Sequence, residues 1–280
     1  ELLNVECEHG WKSVDGSLLG VKPNAVQMEF IELVLVLSAV ALVAGCVDTI
    51  AGGGGLLSIP ALLWAGLSPV ESLATNKAQA VFGSGTATVQ FIRRGLIAPL
   101  GIVPAVLCTF VGAAFGAWLV QRLDSTLLEG LIPILLIAFA LYFWRSPRLS
   151  DLDSHQRLNE NVFAVLIGLA VGFYDGFFGP GTGTFFALGY VALLGYNLRR
   201  ATAHSKALNF TSNLAALLCF VQGGHILWPI ALTMALGQMV GAWIGAHLVL
   251  RHGAALVRPV LVAVSLVISG KWLWDRVASG

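Results

Sequence analysis

Ten apolar runs divide the chain, at about 29–50, 56–67, 71–92, 98–121, 126–144, 161–177, 184–196, 201–222, 227–249 and 255–274. Most approach the ~20 residues that a membrane helix needs. Runs 56–67 and 184–196 do not, since each covers only about 18–20 Å at 1.5 Å per residue. Each short run follows a glycine-rich break, Gly52–Gly55 in one case and Gly179-Pro180-Gly181-Thr182-Gly183 in the other. Paired short segments of this kind point to a transporter site built from broken helices.

The pattern repeats. A shift of 129 residues brings Gly52 onto Gly181, Gly54 onto Gly183, Lys77-Ala78 onto Lys206-Ala207, Gly112-Ala113 onto Gly241-Ala242 and Gly116-Ala117 onto Gly245-Ala246. No gap is needed across that span, so the chain reads as a duplication. Asp48 and Asp175 are 127 apart instead, which leaves their equivalence open and places two inserted residues near the second break.

Composition fixes the setting. The chain is 57% hydrophobic and 11% charged, against about 25% charged residues in soluble domains. It reads as an all-α polytopic membrane protein, with runs long enough for helices rather than barrel strands. A net charge of +1 and the lack of a basic tail give no sign of nucleic-acid binding. The four cysteines have neither metal-ligand spacing nor the look of a disulfide framework. Residues 1–27 are polar and lack the h-region of a signal peptide. Met28 reads like a natural start, which makes 1–27 a leader or a short extramembrane tail.

Charge then sets topology. With ten crossings and the N-terminus outside, nine Lys/Arg fall inside and five outside; with the two short runs re-entrant, the bias largely vanishes. Ten crossings are expected, five per half, and an odd number per half inverts the repeats. The expected units are the leader 1–27, membrane repeats 28–145 and 161–276, and a cytoplasmic linker at 146–160.

The candidate chemistry lies at the repeat. Lys77 and Lys206 sit about 9 Å inside their helices and are candidates to attract an anion, against the alternative of snorkelling to the interface. Asn76 and Ser84 accompany the first, and Ser205, Asn209 and Asn213 the second. Lys206, Asn209 and Asn213 share one helix face; inter-helix hydrogen bonding is the competing role for the polar residues. Gly52, Gly53, Gly54 and Gly55, with Gly181, Thr182 and Gly183, would open helix N-termini whose N–H groups and dipole suit an anion. Asp48 and Asp175 are candidates for proton coupling or lysine pairing, with helix capping almost as strong a reading. His204 is a weaker proton-coupling candidate, because its counterpart is Thr75. The later GxxxG pairs read as packing only. With the repeats inverted, each lysine should meet the break of the opposite half as readily as its own.

The segments GCVDTIAGGGGLLSIPALL, ATNKAQ, FIRRGLI, GFYDGFFGPGTGTF and ATAHSKALNFTSN resemble the TauE/SafE sulfite exporter family across about residues 28–275, in particular its inner-membrane transporters of enterobacterial type. The resemblance implies a multi-pass bacterial inner-membrane permease moving sulfite, sulfonates or related sulfur oxyanions. The expected function is secondary transport of a small anion through the lipid bilayer, with one half rocking against the other and no cofactor, metal or enzymatic chemistry. A passive anion channel and a non-transport sensor or assembly subunit are the rivals. The small-residue patterns serve either packing within the chain or a homodimer.

Overall fold

The computed structural model describes residues 30–98, 100–124, 126–128, 130–132, 134, 135, 138 and 155–252. The leader 1–27, the final run 255–274 and most of the linker 146–160 lie outside these residues. Within them the runs become helices: α1 (Phe30–Ala51), α2 (Gly55–Trp64), α3 (Pro69–Arg93), α4 (Val103–Val120), α5 (Glu160–Phe177, with a π-turn over Ala164–Gly168), α6 (Thr182–Leu194), α7 (Leu198–Gly223) and α8 (Trp228–His252). No strand occurs among the described residues.

Local chemistry sets the boundaries. Ser68 and Glu71 form a reciprocal capping box with Pro69 at the first helical position of α3. Asn197 caps α7 by accepting from the Arg200 N–H. Among the described residues, four helices, α1, α4, α5 and α8, are long and apolar enough to cross a membrane. At 10 and 13 residues, α2 and α6 are the short pair. With 25 and 26 residues, α3 and α7 have the length, but their polar residues lower their hydropathy.

Packing does not follow the sequence halves. In the first half α1, α2 and α3 associate, and the helix that completes them is α8 from the second half. In the second half α5, α6 and α7 associate, and they are completed by α4 from the first. The fourth helix of each repeat has changed sides, giving two bodies, α1–α2–α3–α8 and α4–α5–α6–α7. They meet chiefly where α3 crosses α7.

The GxxxG pairs make this exchange. Gly112 and Gly116 of α4 lie directly on the backbone carbonyls of Leu169 and Phe173 in α5, while Gly241 and Gly245 of α8 lie on those of Leu42 and Cys46 in α1. A methyl group at any of the four would collide with main chain, so the helices approach closely only because these positions are glycine. The expected packing role therefore holds, and its partner in each case is the first helix of the opposite half.

Candidate functional site

The polar residues of α3 and α7 are buried where those helices cross. Lys77 and Lys206 are each 1% exposed. Burying an ammonium without a partner is prohibitive, and each lysine has a carboxylate. Lys77 Nζ is 2.6 Å from Asp175 Oδ1, and Lys206 Nζ is 2.9 Å from Asp48 Oδ2. Both pairs join opposite halves, and both cross the interface between the two bodies. Snorkelling is thereby excluded for either lysine in this conformation.

This geometry settles the equivalence that the 127-residue offset left open. Gly45, three residues before Asp48, lies against the backbone carbonyl of Gln238. Gly172, three residues before Asp175, lies against that of Thr109, and Thr109 and Gln238 are 129 apart. The two aspartates thus hold matching places on α1 and α5, and the extra residues fall between Asp175 and Gly181.

The glycine breaks pack on each other beside the ion pairs. A Cβ on Gly52 would come within 2.5 Å of Gly183 Cα, and one on Gly55 within 3.2 Å of Pro180 Cα. Lys77 Nζ lies against Gly179 of the opposite break, and Lys206 Nζ against Gly183 of its own. The helices α2 and α6 begin at this contact, and their cap residues, Gly54 and Gly181, bring no side chain to their N-termini. Asp48 Oδ1 partly fills that role by accepting from the Gly54 N–H at 3.3 Å. Pairing and capping, alternatives in the sequence, are both performed by Asp48.

The remaining candidates divide. Asn209 Nδ2 donates to Asp48 Oδ2 at 3.3 Å, and Asn213 supports it by donating to Asn209 Oδ1 at 3.0 Å. Thr182 Oγ1 donates to Asp175 Oδ1 at 2.9 Å. Ser84 and Ser205 instead donate to carbonyls of their own helices, those of Ala80 and Thr202. Asn76 accepts from Ser58 at 2.6 Å and from Gln79 at 3.1 Å, which ties α3 to α2. The His204 ring packs between Tyr190 and Tyr196, with Nδ1 on the Arg200 carbonyl, and contacts neither ion pair. Gly53 lies within the first break, where its carbonyl accepts from the Leu56 N–H at 3.0 Å.

Three further groups belong to the site. Ser212 donates to Asp175 Oδ2, Thr184 bonds the Ala51 carbonyl across the two breaks, and the Tyr174 hydroxyl bonds the Pro180 carbonyl. Ser212 lies on the same helix as Lys206 but one position from the face that Lys206, Asn209 and Asn213 share, so helical spacing does not group it with them. Only the partner across the interface singles it out.

The two pairs differ in access. The Asp48 side chain is 13% exposed and Asp175 only 2%, and the bonds to Asp175 are shorter. Asp175→Asn should therefore lower stability more than Asp48→Asn, by about 1–2 kcal/mol or roughly 2–8 °C in unfolding temperature. Thermal unfolding of the detergent-solubilised variants measures this, and equal losses would contradict it.

Comparison with known proteins gives the family. The family model described as sulfite exporter TauE/SafE matches residues 37–272. A probable membrane transporter protein of Escherichia coli K12, YfcA, is 49% identical over 240 residues, covering 86% of this chain and 89% of that protein. A Haemophilus influenzae protein of the same description is 43% identical over 246 residues, covering 88% and 96%. A Sinorhizobium one, ORF9, is 44% identical over 243 residues, covering 87% and 93%. No solved structure matches the chain significantly. With a family match over nearly all the described helices and relatives alike along almost their whole length, the chain belongs to the TauE/SafE sulfite exporter family.

Proposed function

We propose that this protein is a secondary transporter of a small anion, a sulfur oxyanion such as sulfite or a sulfonate, in the bacterial inner membrane. The observation that carries the reading is the pair of buried lysine–aspartate bridges, one on each side of two packed glycine breaks. Two lysines and two aspartates cancel in charge. A monoanion entering alone would leave an uncompensated charge in a low-dielectric site. If it enters with one proton, the net charge is unchanged: the proton occupies a carboxylate, and the freed ammonium holds the anion. The glycine starts of α2 and α6, whose cap residues bring no side chain, would add backbone N–H groups at the same place, the Gly54 N–H once Asp48 releases it. Asn209, Thr182 and Ser212, which now hold the carboxylates, would then orient the substrate.

Ten crossings, with membrane repeats 28–145 and 161–276 inverted, remain the frame of the proposal. The packing changes which units move. The bodies that rock are α1–α2–α3–α8 and α4–α5–α6–α7 rather than the two sequence halves. Both bridges span the interface between those bodies, so exchanging aspartate for anion would loosen it at the moment of loading.

Proteoliposomes carrying the purified chain test this with sulfite, sulfate, thiosulfate, sulfoacetate and taurine under an imposed pH gradient. At least one sulfur oxyanion should accumulate against its own gradient, with a matching change in internal pH. Lys77→Ala and Lys206→Ala should each lower that flux about 10- to 100-fold, the range for losing a charged hydrogen bond. Flux that never exceeds equilibrium would make the protein a channel. Unchanged flux in both variants would remove the lysines from the mechanism.

A further inference from the structure

Away from the ion pairs, α3 presents a second set of residues to a groove between itself, α7 and α8. Arg94, Gln90, Thr86 and Phe82 recur every four positions and line it in that order. Twelve residues of helix cover about 18 Å, close to one leaflet of a ~30 Å hydrocarbon core. The groove, about 620 Å³, is apolar through most of its length, with Phe82, Val89, Phe210, Met239 and Trp243 on its walls. At its mouth, where Arg94 and His247 line both, lies a second cavity of about 600 Å³, whose lining among the described residues includes Arg199 and Arg251 and no acidic residue. None of these arginines has an ion pair among the described residues. Arg94 and Arg251 are exposed, while Arg199 donates to the Leu250 carbonyl at 2.8 Å. One turn below the mouth, the Gln90 Nε2 is buried and has no hydrogen-bond partner among the described residues.

The order is cations, then an unpartnered amide donor, then a long apolar wall. We infer that this groove holds an anionic phospholipid, with its phosphate among Arg94, Arg199 and Arg251, an ester carbonyl at Gln90 and an acyl chain along Val89 and Phe82. Charge complementarity selects an anionic over a zwitterionic headgroup: three arginines without a counter-charge match an anionic lipid, and basic pockets between helices on the cytoplasmic side bind such headgroups. The positive-inside count puts this end of the bundle in the cytoplasm. Arg94 and Arg251 belong to one packing body and Arg199 to the other, so the lipid would brace the two against each other.

The test is thermal unfolding of the full-length chain in detergent, titrated with dioleoylphosphatidylglycerol, dioleoylphosphatidylcholine or inorganic phosphate. The anionic lipid should raise the unfolding temperature by about 3 °C or more, with little change from the other two. Arg94→Ala with Arg251→Ala should raise the lipid concentration for half the effect about tenfold or more, while leaving the lipid-free unfolding temperature and the anion flux near the parent's. Val89→Trp, which fills the groove, should remove the lipid effect alone. Equal shifts from both lipids, a shift given by free phosphate, or a shift that the arginine variant keeps would overturn the inference. So would a Val89→Trp chain that loses stability without lipid, since that would mean a protein segment, such as residues 255–274, occupies the groove.

Discussion

Lys77→Met should destabilise the protein by about 3–5 kcal/mol, because it leaves the Asp175 carboxylate buried without its cation. For a chain of this size that is roughly 6–20 °C in unfolding temperature. The double substitution of Lys77→Met with Asp175→Asn should recover most of the loss, since removing both charges of a buried pair is often neutral or better. Thr182 and Ser212 can still bond the amide that replaces the carboxylate. Flux should not recover with it, because the cation that would hold the anion is gone. Thermal unfolding and proteoliposome flux, measured on the same three proteins, separate the two roles. A double variant that transports would reduce the bridge to a structural tie. A single variant with parental stability would mean that the bridge does not form.

The second large effect is expected at Gly52. Its φ of 72° lies in the left-handed region, and a Cβ there would run into the backbone of Gly183 and Thr184 in the other break. Gly52→Ala should cost about 2–5 kcal/mol, from the left-handed conformation and the overpacking together, and should lower flux by about tenfold or more as the breaks are forced apart. Gly95 provides the control. Its φ is 68°, but nothing lies within 4 Å of an added Cβ. Gly95→Ala should cost only about 1–2 kcal/mol and leave flux largely intact. Similar losses at both positions would show that backbone strain alone, rather than the contact between the breaks, accounts for the effect.

Much of this was visible in the order of residues. The apolar runs mark α1 to α8 to within a few residues, because helix ends here are set by local signals such as Ser68-Pro69 and Asn197. The 129-residue shift brings Lys77 onto Lys206 because the duplicated helices kept their register. What the sequence could not carry was partnership. Lys77 meets Asp175 at a separation of 98 residues and Lys206 meets Asp48 at 158, and no local pattern encodes such distances. For the same reason α4 and α8 gave no hint that they had changed sides, though their glycines showed that something packs closely there. Helical spacing also could not tell Asn209, which reaches across to Asp48, from Ser84, which turns back to its own helix. Small hydroxyl side chains have that local alternative always at hand.

The exchange of α4 and α8 has a consequence for how the chain is made. Among the described helices, the body α4–α5–α6–α7 is nearly continuous in sequence and has its last member once α7 ends at Gly223. The other body begins at Phe30 but lacks its last member until Trp228 and the residues after it emerge, 198 positions later. At about 5–20 residues per second of synthesis, that wait is roughly 10–40 s. Throughout it the close-packing face of α1, with Leu42 and Cys46 ready for Gly241 and Gly245, has no protein partner from its own body. Two repeats that look alike on paper are therefore assembled in unequal ways: the later one closes promptly around a borrowed helix, and the earlier one is finished last.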